Sequence, residues 1–208
     1  MQAARGASLN PSDTTDDEAS GDVPETRRRT PYLSLFAAIA LIGYGTDVVT
    51  KVLAVRHLSD RPPVPVIGDF LQLYLARNPG AAFSTGTSYT MALTCVAALA
   101  AFVVLWVARR LGSVGWAIGL GFLLAGVLGN LTDRVFRTPG VLRGHVVDFL
   151  MLPHWPIFNV ADMCINIAAA VIILQALRGV AVNGARTTRP LRRAERDNER
   201  PDDSASAS

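Results

Sequence analysis

Four apolar runs, Leu33 to Val49, Thr90 to Val107, Gly112 to Leu131 and Ile157 to Leu177, dominate the chain. Each approaches or reaches the roughly 20 residues needed to cross the hydrocarbon region of a bilayer. One soluble core does not need four such runs. Backbone exposed to lipid must satisfy its hydrogen bonds within its own segment, so the runs imply a bundle of membrane-spanning helices. Both chain ends are polar, which concentrates a 50% hydrophobic content between about Tyr32 and Arg178.

The basic residues read as topology signals. A net charge of +3 leaves room for a nucleic-acid partner, but the cations cluster beside the apolar runs. Arg27, Arg28 and Arg29 precede the first run, Arg109 and Arg110 separate the second from the third, and Arg178 with a basic tail follows the fourth. The positive-inside tendency then puts both termini in the cytoplasm, and no nucleic acid is expected. Arg56, Arg61, Arg77, Arg134, Arg137 and Arg143 fall in the outer connections or beside them, where substrate or lipid-headgroup contact is one explanation. Cys95 and Cys164 lie inside spans, so no disulfide is expected, and neither has a histidine nearby to make it a nucleophile. The first run is long and lacks a small-residue cleavage site, which marks a retained anchor.

Three regions follow. Residues 1–31 form a polar cytoplasmic tail too poor in large apolar groups to offset ordering entropy, residues 32–178 form the four-span domain, and residues 179–208 form a second such tail, low in complexity from about Val182. The first outer connection, from about Arg56 to Thr87, alternates Leu71, Leu73 and Leu75 with Gln72 and Tyr74, a strand pattern. The expected class is therefore an all-α membrane protein of four transmembrane helices with a small extracytoplasmic β-sheet. Pro62, Pro63 and Pro65 should break regular structure ahead of that strand. The second outer connection, Thr132 to Pro156, folds back on the bundle as a loop carrying Asp148.

Chemistry has few candidates. Between Pro31 and Arg193 there is no glutamate, and the carboxylates are Asp47, Asp60, Asp69, Asp133, Asp148 and Asp162. Four gather at one level near span ends: Asp47 late in the first, Asp133 just after the third, Asp148 in the loop and Asp162 early in the fourth. An aspartate in a membrane helix costs up to about 3 kcal/mol at mid-span, so such residues face the interior and carry function. Asn159, Asp162 and Asn166 fall at helical offsets that stack them on one face. Interhelical hydrogen bonding is the plainer explanation of that stripe. Against it, Asp148 arrives one connection earlier among apolar neighbours that favour a neutral carboxyl.

Two carboxyls entering one site form an acid–base pair. Charges about 4 Å apart at an effective dielectric of about 20 repel by about 4 kcal/mol, so the pair shares one proton near neutrality. Peptide hydrolysis without a metal or a nucleophilic side chain needs such a pair. His57, His145 and His154 are scattered, no His-Glu-x-x-His or Gly-x-Ser-x-Gly occurs, and Lys51 is the sole lysine for a Ser–Lys pair. Asp47 and Lys51, four apart with the acid first, suit an ion pair on one helix face. Arg134 is open to two roles, pairing with Asp133 or donating to substrate carbonyls. The glycines of the third span, Gly115, Gly119, Gly121, Gly126 and Gly129, permit close helix packing.

Taken in order, Asp47-Val-Val-Thr-Lys51, Asn78-Pro-Gly-Ala-Ala-Phe83, Gly129-Asn-Leu-Thr-Asp-Arg134, Val146-Val-Asp148-Phe and Phe158-Asn-Val-Ala-Asp162 resemble lipoprotein signal peptidase, the signal peptidase II family. The resemblance covers about Leu33 to Arg178. It implies a membrane aspartyl endopeptidase that removes the signal peptide from a diacylglyceryl-modified prolipoprotein by cutting before the lipidated cysteine, with Asp148 and Asp162 as the catalytic pair and Asn159 beside them. Asn78, Asn130 and Arg134 would line the site, with Gly80, Asp133, Asp47 and Lys51 in support. The expected setting is the bacterial plasma membrane, with the site on the extracytoplasmic face, membrane lipids around a monomer, and no metal or organic cofactor. Two other classes stay open, a small proton-coupled transporter and a non-enzymatic membrane scaffold. Acids gathered at one depth favour a single surface-level site over an ion path.

Overall fold

The computed structural model describes residues 26–80 and 88–186. Most of the two expected tails, and residues 81–83 of the Asn78 motif, lie outside them. Helix α1 (Thr26–Leu58) leads into strands β1 (Val64–Ile67) and β2 (Leu71–Asn78); helices α2 (Ser88–Ala108) and α3 (Val114–Phe136), strand β3 (Val146–Met151) and helix α4 (Val160–Leu177) follow. All four helices are long and apolar enough to span a membrane. Large apolar side chains such as Leu41, Val96, Leu99, Phe102 and Ile173 stay exposed around the outside. In water that belt would form an aggregating patch; in lipid it is the expected surface.

Helix α3 is the axis of the bundle. It packs against α1, α2 and α4, and its glycines set the distances. A Cβ at Gly126 would collide with the Ala161 carbonyl oxygen and come within 2.7 Å of the Ile165 side chain. One at Gly121 would sit 3.0 Å from Ile39 and from the Phe36 carbonyl. Lipid tails are as apolar as leucine, so this close van der Waals fit drives association in place of hydrophobic burial. Gly126→Ala is expected to force α3 and α4 apart and to destabilise the protein by about 1–3 kcal/mol. A lower Tm in thermal scans of the detergent-solubilised protein would show it, and an unchanged Tm would refute the packing role.

Two helices run further than the apolar runs suggested. Helix α1 continues from Val49 to Leu58, and α3 continues past Leu131 to Phe136, which puts Asp133 inside the helix rather than just after it. The reason is electrostatic, since Asp47, Lys51 and Asp133 neutralise one another inside the bundle. Past α4, the chain folds back on the turn between α2 and α3. Gly112 donates its N–H to the Val182 carbonyl at 2.9 Å, and the Trp116 indole donates to the Val180 carbonyl at 2.7 Å.

The three strands form an antiparallel sheet with β2 in the centre. The leucine alternation held: Leu73 and Leu75 join Phe149 of β3 in covering Ala54 and Leu58 at the end of α1. Of the proline cluster, Pro62 and Pro63 lie in irregular chain as expected, but Pro65 lies within β1. That strand is an edge and its register shifts between Pro65 and Ile67, the two conditions under which a sheet tolerates proline. The segment around Asp148, expected as a loop, is strand β3.

Candidate active site

Strand pairing sets the first half of the site. Ala76 pairs with Asp148 and Asn78 with Val146, so Asn78 and Asp148 stand diagonally on one face of the sheet. The Asn78 amide donates to Asp148 Oδ2 at 3.0 Å, and Asn78 Oδ1 accepts the Gly80 N–H at 2.8 Å. Gly80 has φ +102, and a Cβ there would lie 3.0 Å from both Nη atoms of Arg134 and 2.7 Å from Leu93. Conformation and space both require glycine at this position.

The second half is the start of α4. Asn159 was expected on a helical stripe with Asp162 and Asn166; it is instead the N-cap, with φ −136 and ψ −177. Its Oδ1 accepts the Asp162 N–H at 3.0 Å, and Asp162 Oδ2 accepts the Asn159 N–H at 3.1 Å, a reciprocal capping box. This leaves the Asn159 amide free to point inward, where it donates to Asp148 Oδ1 at 2.6 Å and to Asn130 Oδ1 at 3.2 Å. Asn130 in turn donates to Asp162 Oδ1 at 3.0 Å. Asn166 lies one turn further along α4 on the same cleft, its amide donating to the Asp162 carbonyl at 3.0 Å. One fully buried asparagine thus holds both aspartates, and each of their four carboxyl oxygens receives an N–H.

Beneath the pair lies a buried charge cluster. Lys51 Nζ sits 2.8 Å from Asp47 Oδ2, 2.9 Å from Asp133 Oδ2 and 2.9 Å from Asn130 Oδ1. Asp47 Oδ1 accepts the Ala161 N–H at 2.8 Å, joining α1 to the first turn of α4. Asp133 Oδ2 accepts the Val147 N–H at 3.2 Å, beside Asp148, and its Oδ1 meets Arg137 Nε. The Asp47–Lys51 pair is as the spacing implied. Sequence reasoning missed Arg137 as a partner; its signal was the four-residue separation from Asp133. Arg134 does not take the Asp133 pairing that was one of its two options, and its buried Nη1 has no hydrogen-bond partner among the described residues.

Asp148 and Asp162 line one cleft of about 490 Å³, rimmed by Asn78, Trp155, Phe158 and Met163. Burial pushes the Asp148 carboxyl up to about 6; the Asn78 and Asn159 amides and Lys51 act against this, and the Asp162 charge adds to it. The described residues contain no group of three or more His, Cys, Asp and Glu side chains arranged to hold a metal. The arrangement offers two coupled carboxyls of unlike surroundings, amide donors around them and an open cleft in front.

Comparison with known proteins places this geometry in context. A family model described as signal peptidase (SPase) II matches residues 39–178. A lipoprotein signal peptidase of Mycobacterium avium is 46% identical over 169 residues, covering 81% of this chain and 90% of the relative. One from Rhodococcus jostii is 45% identical over 177 residues, covering 84% and 88%. Among solved structures, a bacterial membrane enzyme determined by the in meso method matches with a TM-score of 0.61 at 27% identity, covering 69% of this chain and 92% of that one.

Proposed function

The chain belongs to the signal peptidase II family, and from that premise we propose that Asp148 and Asp162 divide the acid and base work of its reaction. It is a multi-pass membrane aspartic endopeptidase that removes the signal peptide from diacylglyceryl-modified prolipoproteins, cutting before the lipidated cysteine. The observation that carries the assignment is Asn159, whose backbone and side chain bind the two carboxyls at the mouth of one cleft.

The unlike surroundings of the two acids assign their roles. Burial keeps a proton on Asp148 up to about pH 6, so Asp148 is the acid. Asp162, in the first turn of α4 and the other carboxyl on the cleft, is then the base. Asp162 takes a proton from water as the hydroxyl adds to the scissile carbonyl carbon, while Asp148 protonates the carbonyl oxygen. Collapse of the resulting diol breaks the C–N bond; Asp162 passes its proton to the leaving amine, and Asp148 recovers its own from the diol hydroxyl. Arg134, beneath Gly80, donates its unpaired Nη1 to a substrate carbonyl. Both termini lie in the cytoplasm, the cleft opens on the extracytoplasmic side of the plasma membrane, and one chain suffices for activity.

Purified full-length protein, mixed with a diacylglyceryl precursor in detergent, should release a signal peptide whose mass ends at the residue before the lipidated cysteine. A cut elsewhere, or equal turnover of an unlipidated precursor, would defeat the reading. Turnover should also survive a chelator.

The Asp148 environment adds a pH dependence of stability. Its folded value lies above that of the unfolded chain, so its contribution is complete below about pH 4 and is lost as pH rises through about 6. Asp148→Asn cannot ionise. Its Tm should therefore gain on that of the parent between about pH 4 and pH 6 and keep a constant lead above, on the order of 3 kcal/mol in total. Parallel profiles would show that the buried carboxyl is not under this strain.

A further inference from the structure

None of the residues lining the carboxyl cleft comes from α2, which packs mainly on α3. Yet two polar side chains are buried at its sheet end, Thr90 and Thr94, one turn apart on one face. A threonine within a helix ordinarily satisfies its hydroxyl on the carbonyl four residues back. Thr94 does so at 2.8 Å on Thr90, and its hydroxyl also lies 3.0 Å from the Leu142 carbonyl. Thr90, the third residue of α2, has no helical carbonyl behind it and donates instead to the Pro79 carbonyl at 2.6 Å.

These two carbonyls flank one place. Pro79 follows the last residue of β2 and Leu142 stands four residues before β3, while Asn78 and Val146 are partners at that end of the ladder. Proline has no N–H, so the carbonyl is the one backbone hydrogen-bonding group of Pro79. Fixing it fixes the planar peptide to Gly80, whose N–H is donated to Asn78 Oδ1 at 2.8 Å. With that oxygen engaged, the Asn78 amide is left aimed at Asp148 Oδ2, 3.0 Å away. On the other side Leu142 has φ +64, a left-handed conformation that a leucine keeps only where its surroundings impose it. Thr94 supplies one hold there; the Gly144 N–H on the Arg134 carbonyl at 2.9 Å supplies another.

We propose that Thr90 is a positioning residue of the peptidase: its hydroxyl, through Pro79 and Gly80, aims Asn78 at Asp148, while Thr94 steadies the segment that leads into β3. The inference rests on the peptidase reading of the cleft. Thr90 touches neither carboxyl, so its effect is geometric, and a misplacement of about 1 Å can slow a reaction by about a hundredfold. The charge on Asp148 feels the same link, since the Asn78 amide opposes the rise that burial imposes. Release of Asn78 would let Asp148 keep its proton to higher pH.

Thr90→Val keeps the shape and removes the hydroxyl; Thr90→Ser keeps the hydroxyl. In full-length, detergent-solubilised protein, Thr90→Val is expected to lower kcat on a diacylglyceryl precursor about tenfold, with KM within about twofold. The alkaline limb of its kcat/KM profile should move to higher pH. Thr90→Ser should stay within about twofold of the parent, with the limb in place. Thr90→Val at the parental rate, or slow with the limb unmoved, or Thr90→Ser as slow as Thr90→Val, would overturn the proposal. A double-mutant cycle checks the route: in an Asn78→Ala background, Thr90→Val should change kcat by less than about twofold. A full tenfold loss there would mean that the hydroxyl does not act through Asn78. Should valine block folding, Thr90→Ala adds no bulk and gives the same readouts. Cleavage by Asp148→Asn at the parental rate would sink the dyad assignment while the coupling of Thr90 to Asn78 still stood, so the two failures are distinguishable.

Discussion

Asp148→Asn and Asp162→Asn are each expected to lower kcat on a lipidated precursor by about ten-thousandfold while the protein still purifies as a folded, monodisperse species. A positioned acid or base contributes about 10²–10⁴, and here the loss of one also disables the other. An asparagine at position 148 holds no proton to give the carbonyl oxygen, and one at position 162 cannot take the proton from water. The double variant should be no slower than either single one, because the two residues act as a unit. Progress curves at high enzyme concentration measure such residual rates. A loss under about tenfold for either variant would remove that residue from the chemistry.

The second large effect is on stability. Lys51 is buried with Asp47 and Asp133, and with Arg137 the cluster balances two positive against two negative charges. Lys51→Met leaves one uncompensated negative charge inside the bundle, which costs about 3–5 kcal/mol for a buried pair broken on one side. Folded protein should drop sharply in membrane extracts, and the surviving fraction should melt well below the parent. Removing charge from both sides tests the cause. Lys51→Met with Asp47→Asn restores neutrality and is expected to melt above Lys51→Met alone, a coupling read from a double-mutant cycle. A double variant worse than the single one would mean that lysine packing, not charge balance, holds the site.

The four spans were legible because a run of about 20 apolar residues has few alternatives in a chain this short. Their ends were not. Lys51 and Asp133 look like stop signals when read locally, and only contact between α1 and α3 turns them into interior residues. The same limit hid β3: Val146 to Met151 becomes a strand by pairing with β2, about seventy residues earlier, which no local pattern records. Asn159 is a different kind of miss. An asparagine three residues before an acid at the head of an apolar run is a capping signal, and reading Asn159 to Asn166 as one helical stripe overlooked it. That Asp148 and Asp162 line one cleft did not depend on these boundaries, because the expectation rested on which residue types stood at one depth.

The capping role of Asn159 bears on how the enzyme could escape a blocking compound. Most residues that an inhibitor touches can be exchanged at little structural expense, and resistance spreads through them. Asn159 offers no such exit: alanine there would uncap α4, with about 1 kcal/mol lost, and leave two carboxyls without the amide that aligns them. A compound that takes its main contact from the Asn159 side chain should therefore select for changes elsewhere, at the cleft rim around Trp155 and Met163.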